Sequence, residues 1–232
     1  MYRIVQSASL YRSVQSKELM MGDLNTDLAE LRGNVASHVP AEIAEVLKAD
    51  RERFVGVVAE AAAKPGSAMP DFTLPDATGA RVSLGELVAD GPAVLVFYRG
   101  AWCPYCNLAL RTYQQEVLPE LENLGARLVA VSPQLPDDSL STKDLEFTVL
   151  SDVGNELGRA LGITFRLDPA TKPAFDTLIG DVEKLNGAAE WELPYPTVLV
   201  VDRERVIRFI DVHPDYTTRT DPADVLAAVK AL

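Results

Sequence analysis

Cys103 and Cys106 are the only cysteines in this 232-residue chain, and they stand two residues apart in Trp102-Cys103-Pro104-Tyr105-Cys106. Sulfur acts as a nucleophile when ionized, so the question is what would hold one of them as thiolate. The pair lies between an apolar run, residues 93–98, and an amphipathic segment. A strand is expected to end and a helix to begin there. At such a junction a sulfur meets unpaired backbone N–H groups and the positive end of the helix dipole, and both favor the thiolate. The expectation is a redox center with one sulfur ionized and accessible and the other close enough to trap it. A structural zinc site would need four ligands. His38 and His213, the only histidines, are distant from the pair and from each other, each within two residues of a proline. Free cysteines also serve as small core hydrophobes, but Pro104 between the sulfurs and Trp102 before them argue against packing alone. No metal, flavin, heme or other cofactor is expected.

The elements that must position the pair follow from periodicity. Residues 93–98 are apolar throughout, as a central strand covered on both faces must be. Leu110, Tyr113, Val117, Leu121 and Leu124 trace one helical face, Pro119 predicts a kink or break, and Gly125 closes it. Upstream, Phe72-Thr73-Leu74 and Arg81-Val82-Ser83 flank the turn Asp76-Ala77-Thr78-Gly79 as a hairpin, and Ser83 with Glu86 has capping-box spacing. Further strands fit residues 127–131, 147–150, 197–201 and 206–210, with a helix over 153–161. Asp221-Pro222 opens a last helix whose face is Val225, Leu226, Val229 and Leu232. Before all of this, Leu24, Leu28 and Leu31, then Ile43, Leu47, Phe54 and Val58 after Pro40, predict two helices over 22–63. Lys64-Pro65-Gly66-Ser67 breaks the period. The chain therefore divides into an N-terminal helical extension, 1–66, and a redox domain, 67–232. The extension reads as a dimerization arm, a lid, or a layer packed on its own domain. The element order is that of an α/β thioredoxin-like fold, a central mixed sheet flanked by helices.

Composition narrows the function. A formal net charge of −12 argues against a nucleic-acid binder, which needs a basic face to meet the phosphates. The longest apolar stretch is far short of the roughly 20 residues that span a bilayer, so no membrane partner is expected. Residues 1–18 intersperse Arg3, Gln6, Arg12, Gln15 and Lys17 among apolar residues and lack the h-region of a secretory signal. A cytoplasmic location is the expectation. Met20 and Met21 precede the first convincing helix and leave open whether residues 1–19 belong to the native protein.

Three segments carry a resemblance: Ala68-Met69-Pro70-Asp71-Phe72-Thr73-Leu74-Pro75-Asp76, the run from Phe97 through Tyr98-Arg99-Gly100-Ala101 and the cysteine motif to Asn107, and Leu193-Pro194-Tyr195-Pro196-Thr197. Together they resemble the peroxiredoxin-like branch of the alkyl hydroperoxide reductase and thiol-specific antioxidant (AhpC/TSA) family, over nearly everything after Leu24. The resemblance implies a thiol-dependent peroxidase, an oxidoreductase that reduces hydrogen peroxide and alkyl hydroperoxides. A cysteine sulfenic acid would be resolved to a Cys103–Cys106 disulfide, and a thioredoxin- or glutaredoxin-type thiol reductant would reset it. It also implies a homodimer. Thioredoxin-like thiol–disulfide exchange at the same pair is the alternative, and a redox-inert binding protein on this fold is a third reading.

Set against the family's Pro-x-x-x-Thr-x-x-Cys loop, the chain has Arg99 for the proline, Cys103 for the threonine and Cys106 for the attacking cysteine. By thioredoxin likeness the roles reverse, with Cys103 attacking. The family arginine before the late strand is replaced by Pro196, which resembles the cis-proline of thioredoxins. Arg99, Arg111 and Arg208 are candidates to supply the missing charge, each also readable as a solvated surface residue. Trp102 and Tyr105 are expected beside the sulfurs and Tyr98 in the core. Asp152 and Asn155 read as helix-start residues and His213 as a loop residue.

Overall fold

The computed structural model describes residues 23–136, 145–187 and 191–232. Residues 1–22, including Met20, Met21 and the N-terminus read for a secretory signal, lie outside the described residues.

The central strand is β3 (Ala93–Phe97), buried along its whole length. It pairs in parallel with β4 (Arg127–Ser132) and antiparallel with β8 (Thr197–Val201). β5 (Thr148–Ser151) and β9 (Ile207–Val212) complete a five-stranded mixed sheet in the order β5-β4-β3-β8-β9. The two-residue period of β3 divides the core. Ala93, Leu95 and Phe97 face a layer that includes the hairpin β1 (Thr73–Pro75) and β2 (Arg81–Ser83), α3 (Leu84–Leu87) and α6 (Glu156–Ala160). Val94, Val96 and Tyr98 face the other layer, which contains both cysteines. That layer is built from α4 (Pro104–Thr112), α5 (Leu118–Asn123), α9 (Pro222–Lys230) and the N-terminal α1 (Leu24–His38). The expected hairpin and the Ser83–Glu86 capping box are both present.

Between α4 and α5 the chain makes one π-helical turn, Tyr113–Val117. Pro119, in the first turn of α5, has no N–H to continue the ladder, so the extra residue is absorbed there. Gly125 closes the helix with φ +66°. Residues 192–194 (β7) pair with β6 (Thr164–Arg166) in a small two-stranded sheet, and α7 (Lys172–Leu178) and α8 (Val182–Asn186) lie between them. Neither this sheet nor these helices follow from the periodicity.

The second N-terminal helix is shorter than its expected span. α2 (Ala41–Glu52) stops six residues before Val58. Phe54 turns inward to meet Phe165 edge-on at 4.8 Å, while Val58 is 73% exposed. An aromatic contact thus ends the helix where its period would have continued. α1 packs on α4, with Leu24, Leu28 and Leu31 in the same core as the cysteines. Leu28→Ala is expected to cost about 2–5 kcal/mol in urea unfolding, as for other fully buried leucines. An unchanged midpoint would show that α1 adds nothing to the domain.

Candidate functional site

Cys103 is the N-cap of α4, Pro104 its first residue and Cys106 a member of its first turn. Proline suits that first position because its missing N–H would have no helical partner. The turn before the helix is pinned from both sides. The Ala101 N–H donates to Gln134 Oε1 at 2.8 Å, and Asn107 Nδ2 donates to the Ala101 carbonyl at 2.8 Å. Gly100 holds φ +144°, and a Cβ there would lie 2.3 Å from Trp102 Nε1. Only glycine lets the indole fold back over the turn.

Both cysteines are free thiols, and the helix-start placement is as expected. Their exposure is not: Cys103 is 1% and Cys106 0% exposed. The expected accessible sulfur is corrected by the leucines of α1 and by Tyr105 and Tyr98, which close over the pair.

Inside this cover the two sulfurs differ sharply. Arg219 Nη2 donates to Cys106 Sγ at 3.0 Å. The Cys103 S–H and the backbone N–H of Arg99 also donate to it. Burial alone would raise the Cys106 thiol. The Cys103 S–H and the charges of Arg219 and Arg99 outweigh that and bring it down to about 5. Cys103 moves the other way, raised first by burial and then by its bond to Cys106 and the charge there. A thiolate surrounded by three donors belongs to Cys106, with Cys103 as its protonated neighbor. The sign follows for pH: above about 5 the reactive form persists, and it is lost as pH falls through that value. The thiolate absorbance near 240 nm is expected to disappear with a midpoint near 5, together with reactivity toward iodoacetamide.

Arg219 is held by its own network. Nη1 donates to the carbonyls of Tyr216 and Thr218 at 2.8 and 2.6 Å. Its peptide is clamped by Asn25 of α1, whose Oδ1 accepts from Arg219 N at 3.0 Å and whose Nδ2 donates to Arg219 O at 2.9 Å. His213, in the same loop, bridges Asp211 Oδ2 at 2.9 Å and Thr218 Oγ1 at 2.8 Å.

The other expected residues sort clearly. Arg99 is 3% exposed, with its guanidinium over the rings of Tyr216 (4.2 Å), Trp102 (5.0 Å) and Phe175 (5.6 Å). Arg111 lies in the last turn of α4, about two turns from Cys103, and Arg208 pairs with Asp202. The charges acting most strongly on the sulfurs are those of Arg99 and Arg219, which corrects the candidacy of Arg111 and Arg208. Pro196 precedes β8, whose Thr197 pairs with Phe97, but no peptide bond among the described residues is cis. Its carbonyl accepts from His213 N at 2.8 Å, extending the β8–β9 ladder. Trp102 is half-buried and Tyr105 buried beside the pair; burial pushes the Tyr105 phenol up to about 12. Tyr98 is in the core, its phenol likewise pushed up to about 12 by burial. Asp152 accepts from the N–H groups of Leu157 and Gly158 at the start of α6, and Asn155 is that helix's N-cap residue.

The sequence model of the AhpC/TSA family matches residues 65–210, more than half of the chain. The chain belongs to the AhpC/TSA family. A Mycobacterium tuberculosis protein carrying the peroxiredoxin name is 35% identical over 102 residues, 42% of this chain and 63% of that protein. Peroxiredoxin Q of Oryza sativa subsp. japonica is 33% identical over 104 residues, 42% of this chain and 46% of its own length. Each match therefore spans less than two thirds of the relative. Among solved structures, peroxidoxin BcpB of Mycobacterium tuberculosis superposes with a TM-score of 0.55 at 22% identity, over 73% of this chain and 97% of that one. The fold is thioredoxin-like, as the element order implied. Arg219 lies beyond the segment that the family model matches.

Proposed function

We propose that this chain is a thiol-dependent peroxidase in which Cys106 attacks and Cys103 resolves. The observation that carries the reading is the three-donor cradle around the Cys106 sulfur. The Cys106 thiolate attacks the terminal oxygen of a hydroperoxide, the O–O bond breaks, and the leaving alkoxide or hydroxide takes a proton to become alcohol or water. Cys106 is left as a sulfenic acid. Cys103, deprotonated, then attacks that sulfur and expels hydroxide, which leaves as water, giving the Cys103–Cys106 disulfide. Two electrons from a dithiol reductant, of thioredoxin or glutaredoxin type, restore both thiols.

Exchange with protein disulfides is the second reading, and burial weighs against it. A protein disulfide must bring its own sulfur within bonding distance of the attacking one, which a covered pair resists. A hydroperoxide needs to bring only its terminal oxygen to the sulfur, which a local opening permits. A homodimer in the cytoplasm, with a boundary between residues 66 and 67, completes the proposal. Stopped-flow mixing of the reduced protein with hydrogen peroxide and alkyl hydroperoxides is expected to show oxidation far faster than that of a free thiol. Oxidation no faster than free cysteine, alongside rapid reduction of insulin disulfides, would replace peroxidase by exchange. Inertness toward both would restore the binding-protein reading.

A further inference from the structure

Seven buried side-chain atoms have no hydrogen-bond partner among the described residues, and four of them belong to Arg99, Trp102 and Gln134 at the cysteine turn. Five are N–H donors: Nε and Nη2 of Arg99, Nε1 of Trp102, Nε2 of Gln134 and Nε1 of Trp191. Buried polar groups in native proteins are almost always satisfied, so a local surplus of donors requires an explanation. Gln134 already uses its oxygen to hold Ala101 in that turn. Trp102 meets Phe175 edge-on at 6.1 Å, and Phe175 meets Trp191 at 5.8 Å, forming an aromatic wall beside Arg99. The wall offers an apolar surface, and the donors call for acceptor oxygens.

Charge points the same way. The chain carries −12 overall, yet Arg32, Arg51 and Arg99 all act on the Tyr105 phenol, and Arg219 and Arg53 adjoin them. The opposing carboxylates are Asp215, 3.7 Å from Arg51, and Asp50 and Asp168, both paired with Arg53. Burial raises the pKa of Asp50 despite Arg99 and Arg53. Arginine therefore outnumbers aspartate at this one place in an acidic protein.

Resting on the peroxidase reading, we propose that Arg99 and Trp102 form a carboxylate-binding subsite, so that the favored substrates are organic hydroperoxides carrying a carboxylate on an apolar or aromatic body. Arg219 holds the thiolate while Arg99 holds the far end of the substrate. Its guanidinium presents two unpartnered N–H groups to a carboxylate, the geometry arginine uses best. Its position also limits the spacer: the Arg99 backbone N–H is on the Cys106 sulfur, so the carboxylate sits within one arginine side chain of the reacting atom.

Cumene hydroperoxide and its para-carboxylate have the same peroxide group and differ only at the far end. Wild type is expected to oxidize with the carboxylate form at about 10-fold higher kcat/KM, mostly through KM. In Arg99→Met that ratio is expected to fall to about 1, whatever the variant's absolute rate, and Trp102→Phe is expected to lower it part-way. Equal kcat/KM for the two peroxides in wild type would overturn the subsite while leaving the peroxidase intact; bound water would then be the partner of these donors. If neither peroxide is consumed, the peroxidase reading fails by itself. Tryptophan fluorescence titrated with 4-(2-hydroxypropan-2-yl)benzoate and its methyl ester then decides the subsite. Saturable binding of the acid alone, lost in Arg99→Met, supports it, and no binding overturns it.

Discussion

Arg219→Met is expected to slow oxidation of Cys106 by hydrogen peroxide about 100-fold at pH 7, the usual loss when one donor to a developing anion is removed. Two effects combine. The guanidinium 3.0 Å from Cys106 Sγ favors the ionized sulfur, so without it the thiol moves up toward the ordinary range and less thiolate is present at neutral pH. The same guanidinium is also expected to donate to the leaving oxygen, on which charge builds as the O–O bond breaks. These effects separate with pH. Raising the pH past the variant's pKa restores the thiolate, and the deficit is expected to shrink to about 10-fold; this remainder is the share of the transition state. A deficit that vanishes at high pH would limit Arg219 to setting ionization, and no deficit at pH 7 would remove it from the site. Arg219→Lys keeps the charge but loses the fork that also binds the Tyr216 and Thr218 carbonyls, so an intermediate rate is expected. Asn25→Ala leaves the arginine in place and removes the clamp on its peptide. Its smaller loss would appear as a raised thiolate midpoint.

What the sequence disclosed and what it hid follow from the range of the forces involved. The β3 strand, the hairpin, the capping box and the helix start at Cys103 depend on local period and capping, and each was legible. The break at Pro119 was legible for the same reason, because a missing N–H acts within one turn. Arg219 was hidden. It lies 113 residues from Cys106, in a polar loop with no period, and long-range contacts, Asn25 on its peptide and Tyr113 on the Thr220 carbonyl among them, bring it to the sulfur. Arg208, one of the three arginines the sequence offered, is taken by Asp202 nearby. Burial of the cysteines was hidden too, because it depends on where α1 lies. A leucine period shows that a helix has a buried face without showing what that face covers. The division of labor between the sulfurs was the least legible of all, since both share one helix end and differ only in the donors that long-range contacts supply.

The two cysteine variants test that division most directly. Cys106→Ser is expected to abolish peroxide-dependent sulfenic acid, a loss of at least about 1000-fold, since the remaining thiol is raised by burial and stays protonated at neutral pH. Cys103→Ser is expected to keep the first step within about tenfold, because a serine O–H can replace the S–H that donates to the Cys106 sulfur. It cannot form the disulfide. One equivalent of peroxide should therefore convert this variant to a sulfenic acid that dimedone traps, and excess peroxide should carry it to the sulfinic acid, whereas wild type stops at the disulfide. Steady turnover with a dithiol reductant should fall with the loss of resolution even though the first oxidation remains fast. Dimedone labeling of Cys106→Ser but not of Cys103→Ser would reverse the assignment and make Cys103 the attacking sulfur. The Arg219 contact would then be a structural support for the resolving thiol, and Arg219→Met would slow disulfide formation without slowing the first oxidation. Measured together, the cysteine and arginine variants distinguish the two schemes, because each scheme predicts a different step to fail in each protein.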